Sequence, residues 1–445
     1  MILASLTLPI QSATVPVKTS LARAIAEAHT GDTVVVDGPS VFHERVVIDK
    51  PLRLLGVGSP ALDADGTGTP LTIAADNVEV RGLIMRNGGA DTGHFDSGIM
   101  ITGSRATVGD CRVEGGGFGI YIRGANECRL EANTTVGNTN VTPSQRGNGI
   151  QLWKTRRNRI VNNVITGTRD GAYFSYADEN LIASNRIEHT RFGIHYMYSN
   201  RNRLVGNTLT ANSVGAALMF ARDCEVDGNR AFANRRHGIL LKQVENSRLT
   251  RNVVFGQNRG FFIQQAVNDH FEGNWIANND IGLHLSNGSE QNRFAGNAFV
   301  NNTRQVWQPT DEVELGRLAS NAFFDRSRGN FWSDYTGVDA NGDGIGDTPY
   351  HETDVFGYLV DRHPAARLFA LSPALALLRK GEELLPLLDM AGVNDPFPLM
   401  RPPVSLSLVG ADVRKSSSEI RRAKSQVRNN QIFVTSVKKR QPPVP

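Results

Sequence analysis

His195, Met197 and Met219 are the side chains whose types and spacing first suggest chemistry. His195 and Met197 lie two residues apart, so on an extended strand they share a face. Met219 follows Met197 by 22 residues, which is also the period of a phrase that recurs through the chain. In a stacked structure the two methionines therefore occupy adjacent layers. Thioether sulfur and imidazole nitrogen form a soft donor set that suits Cu(I), whereas hard cations want oxygen. Such donors on an exposed face take up copper and release it without trapping it. The plainer reading of the same residues is a sticky surface for a partner protein. Met85, His94 and Met100 make a looser second soft set.

A second donor set is hard. In the stretch DANGDGIGD, Asp339, Asn341, Asp343 and Asp347 alternate with turn-forming Gly342, Gly344 and Gly346. The spacing offers side-chain oxygens at loop positions 1, 3, 5 and 9, with the Ile345 carbonyl at 7, and suits Ca²⁺. The loop lacks the glutamate at position 12 that completes an EF-hand. An Asp/Gly turn with no ion is the alternative.

The elements that position these residues are read from the recurring phrase. It appears as FGIYI at Phe118, NGIQL at Asn148, DGAYF at Asp170, FGIHY at Phe192, VGAAL at Val214, HGILL at His237, RGFFI at Arg259 and IGLHL at Ile281. Its glycines, Gly119 to Gly282, are spaced by 22 or 23 residues except for one interval of 30. An Asn-x-aliphatic phrase precedes most of them (Asn163, Asn185, Asn207, Asn229, Asn252, Asn274, Asn297), and a further series follows at Asn158, Asn180 and Asn202. Each coil thus holds three short strand signals separated by Asn, Gly or Asp turns, too short for helical repeats. The expected fold is all-β, a right-handed single-stranded parallel β-helix over residues 18–330. Turn asparagines stacked ~4.8 Å apart are expected to form hydrogen-bonded ladders. Positions one and three after each glycine point inward and positions two and four outward. The outer face then carries Tyr121, Gln151, Trp153, Tyr173, His195, Met197, Met219, Phe262 and His284, an unusually aromatic and soft set.

Solenoids of this kind often cleave or epimerise acidic polysaccharides, and such chemistry needs carboxylates gathered with a base or cation on one exposed sheet. The outward positions after the glycines hold neither Asp nor Glu. Elsewhere Glu225 and Asp227 share a strand, but neighbouring coils do not extend the pair. A polysaccharide lyase or epimerase is the alternative function, and a non-enzymatic role is favoured. The net charge of +4 is modest, and the arginines are scattered over turns, which argues against a nucleic-acid partner. The cysteines, Cys111, Cys128 and Cys224, are an odd count without CxxC spacing and fall where other coils carry ladder asparagines. They are expected to be buried turn fillers.

Residues 1–17 form a weak signal-like segment, either a degraded or mis-started secretion signal or a simple strand. Ser20 N-caps a short Ala-rich helix that covers the open end of the stack. NTNVTPSQR, within the 30-residue interval, and GGADTGHFDSG around His94 are expected loops. Beyond the repeat come an Asp/Gly-rich region over 331–370, a Leu-rich segment over 371–400 and a basic tail over 401–445, the tail expected to be disordered. The C-terminal extension is thus helical or irregular. The charges of the Leu-rich segment (Arg379, Lys380, Glu382, Glu383) rule out an ordinary membrane span. It docks on a partner or a membrane surface, or folds back to cap the β-helix.

The 22-residue coils, the phrase RFGIHYMYSN at Arg191 and the phrase GNFWSDYTGVDANGDGIGDTPY at Gly329 together resemble the NosD family over roughly residues 18–400. The resemblance implies a periplasmic accessory protein that works with an ABC transporter, made of a permease and its ATPase. It implies delivery of copper to nitrous-oxide reductase and assembly of its copper centres, with a copper-chaperone lipoprotein as a further partner. On that basis the segment 371–400 docks onto the permease. His195 and Met197 fall inside the family-like phrase, and Met219 joins them by stacking.

Overall fold

The computed structural model describes residues 13–17, 19–286, 288–308, 321–352, 372, 373, 377 and 393–403. Residues 1–12, most of the Leu-rich segment and the tail from 404 onward lie outside the described residues, and with them the expectations placed there. The described chain winds as a parallel β-helix. Successive coils add one strand each to three long sheets of 13, 12 and 13 strands. Pairing between coils is parallel and in register, with Phe192, Ile194, His195, Tyr196 and Met197 opposite Val214, Ala216, Ala217, Leu218 and Met219.

The inward rule holds. Ile194 and Tyr196, Ala216 and Leu218, and Ile239 and Leu241 all sit in one continuous core that runs the length of the stack. The turns are tied by asparagine ladders. The Oδ1 of each ladder residue accepts the backbone N–H one coil earlier, as in Asn185 N to Asn207 Oδ1 (3.0 Å) and Asn207 N to Asn229 Oδ1 (2.9 Å). In the series from Asn163 to Asn297 each Nδ2 in turn donates to a backbone carbonyl, as Asn207 does to Ile182 at 2.9 Å. A buried polar group left without its partner costs about 1–3 kcal/mol, so these ladders hold the turns in one geometry. Sequence reading anticipated two ladders. A third runs through Thr190, Asn212, Asn234, Gln257, Asn279 and Asn302, its mixed residue types hiding the period.

The cysteines are buried where expected. The N–H groups of Cys111, Cys128 and Cys224 donate to Asn133, Asn158 and Ser247 of the following coils. Burial pushes their thiols up, to about 11 for Cys111 and Cys128 and about 12 for Cys224.

Both ends of the stack are covered. At the N-terminal end, helix Leu21–Glu27 is capped by Ser20, whose side chain accepts from Arg23 N, and it buries Leu21, Ala24 and Ile25. At the other end, Asp395 replaces the next ladder asparagine and accepts from Asn330 N (2.7 Å) and Trp332 Nε1 (2.8 Å). Trp332 is stacked between Phe299 and Tyr350. Tyr350–His351 pairs with Asn394–Asp395 in a short antiparallel ribbon. The described part of the Leu-rich segment, from Val393 on, therefore folds back on the stack rather than standing free. Among the described residues no helix is long and apolar enough to cross a membrane.

Candidate functional site

The outer face of the 12-stranded sheet carries the candidate site, and its geometry begins at the glycines. A Cβ on Gly171 would meet the core side chain of Ile187, so glycine and the residue after it both turn inward. The residue before the glycine is consequently turned out and joins positions two and four on the outer face. That row reads Asp170, Phe192, Val214, His237 and Arg259 in register. The outward positions after the glycines hold no carboxylate, as read from the sequence, but the position before the glycine adds Asp170 to the outer face. Strict alternation counts from the glycine and misses the inward doubling that places Asp170 outside.

His195 Nδ1 lies 3.0 Å from Asp170 Oδ2. Arg191 grips both oxygens of the same carboxylate, with Nε at 2.8 Å and Nη2 at 2.7 Å. Burial pushes the Asp170 carboxyl up, but the hydrogen bonds from His195 and Arg191 outweigh it and hold the carboxyl below its ordinary value. An ionised carboxylate only accepts, so the Nδ1 that faces it carries a proton, and in the neutral imidazole Nε2 is then the atom left with a lone pair. That Nε2 is buried and has no hydrogen-bond partner. The imidazole is held between Phe192, 4.5 Å between centroids, and Tyr173, at 4.9 Å. His195 is 7% exposed. The coil beyond it contributes Ala217, whose methyl group leaves the imidazole the larger share of that space.

Met197 and Met219 are directly opposite one another in neighbouring strands and partly exposed. With strands ~4.8 Å apart and ~6.6 Å between alternate residues, the two thioethers and the imidazole originate from one small patch. The structure thus brings the predicted trio onto one face. It adds Asp170, Arg191 and Phe192, which sequence reading missed, and Tyr173, which that reading placed on the outer face but not in the site. The DGAYF phrase held the signal, an acid directly before the glycine.

The second soft set does not assemble. Met85 is the central residue of strand Ile84–Arg86 and is wholly buried in the core. His94 is exposed and bonded to Asp91, with Nδ1 2.7 Å from Oδ2.

The hard donor loop folds around its own backbone. Asp339 accepts from the N–H groups of Gly342, Asp343 and Gly344, and Asp343 from that of Ile345. Asp347 accepts from Ala340 N at 2.7 Å, and Asn341 Nδ2 donates to Asp343. The loop is seated on the C-terminal cap through Gly346 N to Pro398 O and Met400 N to Gly344 O.

The acid pair weighed for sugar chemistry is consumed in ion pairs. Glu225 bonds Arg203, and Asp227 bonds Arg251 and Thr250. Asp170 is likewise held by Arg191 and His195, which leaves it no freedom to take a proton from a substrate.

Comparison with known proteins gives one family. Residues 139–337 match the model of the periplasmic copper-binding protein (NosD) family. A NosD of Stutzerimonas stutzeri, named as an ABC transporter binding protein, is 35% identical over 379 residues, 81% of this chain and 85% of the relative. A NosD of Pseudomonas aeruginosa with the same name is 38% identical over 376 residues, 81% of this chain and 86% of the relative. Among solved structures the Dettilon tailspike protein aligns with a TM-score of 0.55 at 16% identity, covering 67% of this chain and 65% of that one. That last likeness is one of fold alone. The names of the two relatives are those of binding proteins and agree with a non-enzymatic chain.

Proposed function

Because this chain belongs to the NosD family, we propose that it is a periplasmic accessory protein that delivers copper to nitrous-oxide reductase and helps to assemble its copper centres, acting with an ABC transporter. The observation that carries the copper site is the His195 Nε2 lone pair, unpartnered and aimed by Asp170, on the face that carries the Met197–Met219 pair. A carboxylate that orients a histidine and raises its basicity is the usual support behind a metal-binding imidazole. Two neutral sulfurs and one neutral nitrogen suit Cu(I) and add no charge to be neutralised. The cysteines, with buried and protonated thiols, take no part, so the site lacks the thiolates that would hold copper against transfer. Copper here is cargo. The methionines stand at the accessible side of the patch and would meet donor and acceptor first.

The partners in this reading are the transporter permease and its ATPase, a copper-chaperone lipoprotein and the reductase. The Leu-rich segment 371–400 is the proposed permease contact, through the residues ahead of Val393, where the chain folds back on the stack. For the loop Asp339–Asp347 the proposal is a weak structural calcium site of Asp339, Asn341, Asp343 and Asp347, in which the ion draws side chains away from the backbone N–H groups they now cap.

The experiment is complementation. In cells lacking this gene, the unaltered chain should restore copper-loaded, active reductase. The variant Met197→Leu/Met219→Leu should leave copper-poor reductase at normal protein level. Full copper loading with that variant would refute the site, and full loading without any copy of the gene would refute the function.

A further inference from the structure

Three coils beyond the copper patch the same outer face becomes cationic without a counter-charge. Arg259 follows His237 in register in the row before the glycines, and His284 lies in the next coil. Arg259 Nε donates to His284 Nδ1 at 2.7 Å and its Nη1 to Asn258 Oδ1 at 3.1 Å, leaving Nη2 without a hydrogen-bond partner among the described residues. Arg236, next to His237, is exposed and makes no side-chain hydrogen bond among the described residues. His237 is 3% exposed and its Nδ1 has no partner. The nearby acid Asp280 accepts from Asn258 rather than from either arginine. Burial and the arginine charges hold His237 and His284 well below the ordinary histidine range, and burial first, with the nearby charge of Arg236 second, depresses Arg259, with no carboxylate acting on any of the three.

The Arg259 guanidinium lies 5.6 Å from the Phe262 ring centroid and bonds a neutral imidazole, with Arg236 near enough to repel it. A half-buried cation in such company is costly unless an anion completes it. Elsewhere on this sheet the equivalent need is met internally, since Arg191 has Asp170. Between the two places runs an apolar strip, Val214, Ala217 and Leu240, packed with Phe192, Met219 and Phe262. The buried residues of that strip have no side-chain group that would bond sugar hydroxyls, so it fits apolar side chains rather than a glycan. Three coils at ~4.8 Å correspond to about four residues of extended chain.

We propose that Arg259 and Arg236, supported by His237 and His284, form a carboxylate-binding subsite for an acidic side chain on an extended, apolar-flanked segment of a partner polypeptide. Arg259 Nη2 and Arg236 supply charge-assisted hydrogen bonds, and the strip Val214–Ala217–Leu240 receives the apolar neighbours of that acid. The subsite is independent of the copper reading, since it contains none of the same donors.

The test is calorimetry on the full chain with the peptide acetyl-Leu-Leu-Leu-Glu-amide and its Gln counterpart. A charge-assisted pair predicts that the Glu peptide binds about 10-fold or more tightly than the Gln peptide. That preference should vanish in Arg259→Gln and shrink in Arg236→Gln, a change at an exposed residue that leaves the coil intact. Absence of binding, equal binding of the two peptides, or a preference that survives both variants would overturn the proposal. So would tighter binding of trigalacturonate than of the Glu peptide, which would assign the face to acidic glycans.

Discussion

Asp170 Oδ2 and His195 Nδ1 are 3.0 Å apart across one inter-coil step of the outer sheet, and this contact decides which imidazole nitrogen is free. Asp170→Asn keeps the shape but lets either tautomer form. Loss of such a supporting carboxylate costs about 10–100-fold in metal affinity, and Cu(I) competition titration should show a fall in that range with the fold unchanged by circular dichroism. Since the Asp170 carboxyl is held below its ordinary value of 3.8, its stabilising effect is complete above that pH and is lost only as pH falls through the lower folded value.

Gly215→Ala tests the frame. The added Cβ would lie 2.5 Å from the Gly238 carbonyl oxygen, which is strand backbone, and 3.1 Å from Asn234 Nδ2, which the ladder fixes. Backbone cannot yield as a flexible side chain would, so a loss of about 2 kcal/mol or more is expected in urea denaturation. An unchanged midpoint would mean that the glycine row is not set by close packing of coils.

The repeat was the legible part. Glycine, asparagine and aliphatic positions each recur because each coil poses the same packing problem, so Ile194, Tyr196 and Asn207 could be placed from spacing alone. The site was half legible. Met197 and Met219 were found because they break the pattern one period apart. Asp170 was not, because its orientation follows from two consecutive inward residues at Gly171 and Ala172, a local departure that a period of two does not encode. The cationic cluster was hidden for the same reason, as His237 and Arg259 also stand before glycines.

Asp269 takes a ladder position that asparagine fills elsewhere. Its Oδ1 accepts from Ser247 N at 2.7 Å, while Oδ2, where an asparagine amide would donate, has no partner. Burial pushes its carboxyl up to about 7 from 3.8. The folded state therefore binds the proton more tightly, and stability is lost as pH rises between about 4 and 7. Asp269→Asn should remove that loss. The stability difference between variant and parent, followed by melting temperature, should grow from pH 4 to 7 and then level, at an order of 2–4 kcal/mol. A difference independent of pH would contradict this.

Calcium is expected to act on the 339–347 loop in the millimolar range typical of extracytoplasmic modules. At about tenfold excess over the dissociation constant it should add roughly 1.4 kcal/mol of stability, seen as a raised melting temperature and absent in Asp343→Ala. An unshifted melting temperature would leave the loop as a self-capped turn.

In the reading proposed above, His195, Met197 and Met219 hold copper as one site. The most direct measurement is a Cu(I) titration against a competing chelator, comparing the parent chain with Met197→Leu/Met219→Leu. One Cu(I) is expected to bind the parent at a site that is lost or weakened at least ~100-fold in the variant, as removal of two of three soft donors requires. Unchanged stoichiometry and affinity in the variant would contradict it.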